Sequence, residues 1–262
     1  MNYSNISDYL FQVQSQGRYS LTLGELRKNI DSSNKALLQN LHRLKSKNRL
    51  AQIRKEFYVI IPPQYSHQGT LPSILFLDDM MKYLKREYYL GLYSAAALHG
   101  AGHQQPMESQ VMIHKPALRA IKNKKQAITF FTRKNWKSGW VDLKKTESGY
   151  INVSSPELTA IDLIHHHKKI GGLNRIIPIL EDLSESMKVY KLSSIAKESA
   201  LPSIQRLGYM LEQLGEEKLS EALAKTINRN KTNTVSLSLS YKSKEGILNE
   251  KWNLIINTEL DI

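Results

Sequence analysis

Lys35, Gln39, His42 and Arg43 stand on or near the outer face of a stretch whose inner face carries Leu37, Leu38, Leu41 and Leu44. A helix built this way can lay donors into a nucleic-acid groove. Lys35 and Arg43 suit phosphates or guanine edges, and the amides of Asn34, Gln39 and Asn40 suit adenine. Ser33 caps the start of the same helix and is counted with them. Arg54 and Lys55, at the tip of an expected hairpin, are placed to reach a flanking phosphate or minor groove. A second basic group follows within thirty-one residues: Lys115, Arg119, Lys122, Lys124, Lys125, Arg133, Lys134, Lys137, Lys144 and Lys145, with Trp136 and Trp140 interleaved. It reads either as a solvated surface or as an extension of the nucleic-acid contact.

Other chemistry is thinly represented. His99 and His103 have the spacing of two helix-borne metal ligands, but Gly100 and Gly102 break the helix that would present them, so a packing or turn role is expected. His165, His166 and His167 fan out by about 100° each on a helix and cannot converge on one ion. Asp162 sits among apolar residues as a buried, hydrogen-bonded carboxylate, without a His, Lys or metal motif beside it. Arg206 is read as an exposed arginine beside core residues. No catalytic set, metal site or cofactor is expected.

The elements that must position these side chains begin with a helix carrying Ile6, Tyr9, Leu10 and Val13 on one stripe, closed by Gly17. Thr22-Leu23-Gly24-Glu25 fits a capping box that opens a short second helix with Leu23, Leu26 and Ile30 buried. Asp31-Ser32-Ser33-Asn34 is turn and cap together, and Asn48 stands where a left-handed residue ends the third helix. Strands follow at Leu50–Ile53 and Phe57–Ile61, and Pro62-Pro63 closes the unit. Three helices and a hairpin in this order are those of a winged helix-turn-helix. Residues 1–66 carry ten Lys/Arg against four Asp/Glu, so basic charge coincides with that module.

Beyond a polar linker the pattern predicts a larger mixed α/β domain over residues 70–262, with a sub-boundary near 185–191. Asp78 to Ala101 reads as two helices, and Val111–Ile113, Ala127–Phe131, Trp140–Leu143 and Tyr150–Val153 read as strands. Ser154-Ser155-Pro156-Glu157 opens a deeply buried helix by a capping box and an early proline. Helix resumes at Leu173–Leu183 after Gly171-Gly172 and again over Leu192–Ile227, and Val235–Leu239 and Trp252–Asn257 are the last strands. The fold class is therefore α+β.

The whole chain has 262 residues, 37 Lys+Arg against 24 Asp+Glu, and a net charge of +13. Such an excess calls for a polyanion first, and for an anionic membrane or acidic protein second. Zero cysteines exclude disulfides and thiolate metal sites. The start MNYSNISDYL lacks the pattern of a secretory signal, and no apolar run is long enough for a membrane span. A soluble cytoplasmic protein without membrane partners is expected.

Several phrases of the larger region resemble antitoxins of the AbiE type (the AbiEi family) from bacterial abortive-infection systems. They are Tyr89-Leu90-Gly91-Leu92-Tyr93-Ser94-Ala95-Ala96-Ala97-Leu98-His99-Gly100, then His103-Gln104-Gln105-Pro106 with Gln110-Val111-Met112. Ile151 to Leu163 with Gly171-Gly172-Leu173-Asn174 continues the likeness, as do Leu201-Pro202, Gln205-Arg206-Leu207-Gly208-Tyr209 and Lys251-Trp252-Asn253-Leu254-Ile255-Ile256-Asn257. The resemblance implies an N-terminal winged helix that binds inverted repeats of double-stranded DNA in its own promoter and represses the operon. It implies a C-terminal region that neutralises a nucleotidyltransferase-like toxin, functionally if not through a stable complex. One position departs: the family's wing carries a glycine before its aromatic residue, where this chain has Glu56 before Phe57 and Tyr58, which implies a wing tip of different shape. Two rival readings stand beside this one. The chain could be a winged-helix enzyme that processes nucleic acid, which needs a convergent carboxylate set, or an interaction module whose basic face binds an acidic protein.

Overall fold

The computed structural model describes residues 3–102, 106–123, 126–227, 232–239 and 246–262. His103, Gln104, Gln105, Lys124 and Lys125 lie outside the described residues.

Asn5 opens α1 (Ile6–Ser15) by accepting the Ser7 amide at 2.9 Å, and the helix buries Ile6, Tyr9, Leu10 and Val13, the expected stripe. A three-residue strand, β1 (Ser20–Thr22), follows; it is too short to show an alternation in sequence. The capping box of α2 (Leu23–Asn29) is complete, with the Thr22 hydroxyl accepting the Glu25 amide at 3.1 Å and the Glu25 carboxylate accepting the Thr22 amide at 2.7 Å. Ser33 caps α3 (Asn34–Ser46) by accepting the Ala36 amide at 3.2 Å.

Leu37, Leu41 and Leu44 are buried on α3, but Leu38 is 44% exposed, so it does not belong to the inner face assigned from sequence. The three inward leucines fix one side of the helix, and Leu38 lies about 100° round from Leu37. Asn48 takes φ +53° and the Arg49 amide reaches back to the Leu44 carbonyl at 2.9 Å, which closes the helix as a Schellman turn. The strands β2 (Leu50–Arg54) and β3 (Phe57–Ile60) pair antiparallel, and β1 adds to β3 to give a sheet of order β1-β3-β2.

The next segment differs from its sequence pattern. The two expected helices are present as α4 (Leu77–Tyr83) and α5 (Leu92–Leu98), but an unexpected strand, β4 (Tyr88–Leu90), lies between them. All three of its residues are buried, and an apolar run buried on both faces has no period that separates strand from helix. Five more strands, β5 (Ser109–Ile113), β6 (Ile121–Asn123), β7 (Gln126–Thr132), β8 (Val141–Thr146) and β9 (Gly149–Ser154), complete a six-stranded mixed sheet. Its order is β6-β7-β5-β4-β9-β8. β5 runs parallel to β7 and β6 antiparallel to it, so the basic stretch contains a strand of its own.

Helices α6 (Pro156–Ile170), α7 (Ile177–Ser184), α8 (Val189–Ala196), α9 (Leu201–Gln213) and α10 (Glu217–Ala224) follow. Ser155 caps α6 at the Leu158 amide, with Pro156 in the first turn. The reciprocal half of the expected capping box is absent: buried Glu157 instead accepts the Lys188 amide at 2.8 Å. Two short strands, β10 (Val235–Ser236) and β11 (Ile247–Asn249), flank β12 (Leu254–Ile256) in a final sheet.

Arg206 is only 5% exposed, contrary to its reading as a surface residue. Its Nε donates to the Ser236 and Leu237 carbonyls at 3.0 Å each and its Nη2 to Ser236 at 2.8 Å. Gln205, beside it, donates to the carbonyls of Asn233, Trp252 and Asn253 at 2.9–3.1 Å. Side chains of α9 therefore satisfy the backbone of the final sheet, which is too short to do so alone.

By compactness the chain forms two units. The first comprises Met1–Tyr89, Met107–Asn135 and Leu143–Asn152; the second comprises Leu90–Pro106, Trp136–Asp142 and Val153–Ile262. Among the described residues no helix is long and apolar enough to cross a membrane.

Candidate nucleic-acid interface

Within the first unit, α3 presents Ser33, Asn34, Lys35, Gln39, His42 and Arg43 to solvent, and Asn40 is half-buried. No acidic residue occupies the first turn of α3, which leaves its partial positive charge uncompensated. Asn34 accepts from Arg27 Nε at 3.2 Å, which brings an arginine of α2 beside the start of α3. The sequence pattern does not mark Arg27 as a contact, and it places Leu38 on the inner face. The exposed leucine among polar residues is a signal that becomes readable only once the rotation of α3 is known.

The hairpin tip is held on three successive residues. Arg54 donates through Nη2 to the Arg119 carbonyl, and its guanidinium lies 5.5 Å from the centre of the Phe130 ring. Its Nε is buried with no hydrogen-bond partner among the described residues, and burial lowers its pKa. The Lys55 carbonyl accepts from the Tyr83 hydroxyl of α4 at 3.4 Å, with the Tyr83 ring 5.5 Å from Phe57. The Glu56 carbonyl accepts the Leu23 amide at 2.9 Å. Glu56 itself takes φ +60°, the left-handed backbone that a glycine would adopt without strain. The Lys55 side chain is exposed.

Of the second basic group, Lys115, Arg119, Lys122 and Lys134 are exposed on the first unit, and Arg133 is half-buried with its Nε on the Asn135 carbonyl at 3.0 Å. Lys145 is exposed and Lys144 half-buried on β8. Lys137 belongs to the second unit, where it pairs with Glu198 and lies over the Trp140 ring at 5.6 Å. Its charge is thus matched locally.

The distribution of charge is sharper than the list of residues. The first unit contains 22 Lys/Arg and 9 Asp/Glu, a net of +13, whereas the second contains 15 of each and is neutral. The entire formal excess of the chain sits on the unit that carries α3 and the hairpin.

His99 and His167 each meet a backbone carbonyl. His99 Nε2 lies 2.6 Å from the Ser154 carbonyl, and His167, 1% exposed, bonds the Ile164 carbonyl through Nδ1 at 2.6 Å. Burial, with smaller contributions from Arg206, His165 and Lys168, lowers the His167 pKa, although its bond to Ile164 works the other way. Asp162 is fully buried. Among the described residues no group of three or more His, Asp or Glu is arranged to hold a metal.

An α+β chain of two units, one strongly basic and one neutral, is the class that fold and surface define. Residues 89–213, a little under half of the chain, match the family model of the AbiEi antitoxin C-terminal domain, and this stretch is similar to the AbiEi-type antitoxins. No curated protein matches the chain. Its fold is similar to the crystal structure of the RV2827C protein from Mycobacterium tuberculosis, at 15% identity and a TM-score of 0.72 over 97% of this chain and 92% of that one. An antigenic nucleotidyltransferase-like protein from Paracoccidioides brasiliensis matches 57% of this chain and 89% of its own at 12% identity, with a TM-score of 0.38 that carries no argument.

Proposed function

We propose that this chain is an AbiEi-type antitoxin and also a DNA-binding repressor of its own operon. In this reading residues 1–66 are a winged helix-turn-helix, α3 is the recognition helix in the major groove, and the β2–β3 hairpin is the wing. Lys35, Gln39 and Arg43 meet base edges and phosphates, Arg27 and Lys55 flanking phosphates, and Leu38 a thymine methyl. Exposed Lys115, Arg119, Lys122 and Lys134 lengthen the phosphate contact. Inverted repeats of double-stranded DNA in the promoter are the target. Residues 70–262 serve the second task, neutralising a nucleotidyltransferase-like toxin, functionally if not through a stable complex. The protein works in the cytoplasm without a cofactor, a membrane or a catalytic step of its own.

The observation that carries this reading is the confinement of all net charge, +13, to the unit with the exposed donor face of α3. A polyanion recognises such a surface, and affinity for it falls steeply as salt rises. The test is a mobility shift of the upstream region at several salt concentrations, with wild-type protein and with Lys35, Gln39 and Arg43 replaced together by alanine. The triple variant is expected to lose the shift while melting at the wild-type temperature, since all three side chains are exposed. A retained shift would remove α3 from the interface.

A further inference from the structure

We infer that Arg54 does not read DNA but positions the wing, so that Lys55 is presented in a fixed place. The inference rests on the proposed DNA-binding function and reverses the role that sequence alone gave Arg54. An arginine at a wing tip that served as a phosphate contact would keep its guanidinium in water. Here Nη2 is committed to the Arg119 carbonyl, the guanidinium packs by the Phe130 ring, and Nε is buried. Phe130 is only 9% exposed, so this anchor is part of the packed sheet and not of the surface.

The neighbours on the hairpin complete the arrangement. The Lys55 carbonyl is fixed by Tyr83 and the Glu56 carbonyl by Leu23, leaving the Lys55 ammonium as the group at the tip directed to solvent. A two-stranded hairpin alone is marginally stable in water and would lose conformational freedom on meeting DNA. Anchoring the tip from α2, α4 and β7 removes most of that cost before binding. Arg54 can do this where lysine would do it poorly, because its planar fork holds a carbonyl while its face lies against a ring.

The two roles differ in measurable ways. A phosphate contact contributes roughly 0.9 to the slope of log affinity against log salt. If Arg54 acts through Lys55, Arg54→Met and Lys55→Ala each remove that same increment, and the double variant loses no more than either alone. Phe130→Leu, which changes no charge and touches no DNA, should reproduce a large part of the Arg54→Met effect. Additive losses in the double variant, or a Phe130→Leu protein that binds like wild type, would overturn the inference. Amide hydrogen exchange at Lys55, Glu56 and Phe57 in the DNA-free protein supplies an independent readout: Arg54→Met should raise it several-fold while exchange in α6 and α9 stays unchanged. Unchanged exchange at the tip sinks the anchor. If the wild-type chain ignores DNA, the proposed function falls, and the exchange measurement still decides whether Arg54 holds the tip.

Discussion

Gly208 and Trp252 are packed so closely that a Cβ on Gly208 would stand 2.0 Å from Cζ3 of the indole. Trp252 is fully buried and its Nε1 donates to Glu212 at 2.6 Å, so the ring cannot retreat without losing that bond. Gly208→Ala is therefore expected to destabilise the protein by about 3 kcal/mol, at the upper end of overpacking effects. Urea denaturation measures it, and a loss below about 1 kcal/mol would show that the final sheet yields.

Arg206 supports a related expectation. Its guanidinium feeds the carbonyls of Ser236, Leu237 and Pro202 from a buried position, and burial lowers its pKa. Arg206→Met keeps the volume and orphans those acceptors, at roughly 1–3 kcal/mol for each left unsatisfied. A thermal melt should show a drop of several degrees, and a variant that melts with the wild type would mean that water replaces the arginine.

Glu56 offers a gain instead of a loss. A non-glycine residue at φ +60° carries a steric penalty of about 1 kcal/mol, partly offset by the greater freedom of glycine in the unfolded chain. Glu56→Gly should stabilise the protein by a few tenths to about 1 kcal/mol. Destabilisation would imply that the glutamate side chain contributes a contact of its own.

Acid should weaken the N-terminal module through Glu25. Burial alone would raise its carboxyl, but the Arg18 guanidinium at 2.8 Å and the Thr22 amide and hydroxyl hold it below its ordinary value of 4.5. A depressed folded-state pKa means that the unfolded chain takes up the proton first. The stability that Glu25 contributes is thus complete above its unfolded pKa and is lost as pH falls through the folded one. Glu25→Gln should flatten the fall in melting temperature between neutral pH and pH values below about 4.5. An identical pH profile for the two proteins would remove Glu25 as the cause.

Leu38 separates binding from folding. At 44% exposure its truncation to alanine should change stability by no more than about 0.5 kcal/mol, yet weaken DNA binding if it meets a thymine methyl. Equal affinity on every operator sequence would exclude that contact.

Sequence reasoning reached the helices of the first sixty residues because their caps are side-chain chemistry with fixed spacing. Ser33, the Thr22–Glu25 pair and Asn48 each do at their positions what their types imply. It did not reach β1 or β4, since three residues carry no period, and it placed Leu38 inside because helix rotation depends on tertiary packing. The burial of Arg206 is hidden in the sequence for a related reason. An arginine is assumed to need water or a carboxylate, whereas here its partners are backbone carbonyls supplied some thirty residues later in the chain. For the candidate interface, residue types were evident and their availability was not. Arg54 looks like Lys55 in sequence, and only the distant Arg119 carbonyl and Phe130 ring distinguish them.

One unit holds every unit of the formal excess charge and the other holds none. On the proposed reading, the long-range pull of a polyanion therefore acts on the first unit alone and raises the frequency of encounter before any side chain touches. Dilute salt should strengthen that pull and concentrated salt erase it, so the rate of association would change with salt even where the contacts finally made are the same.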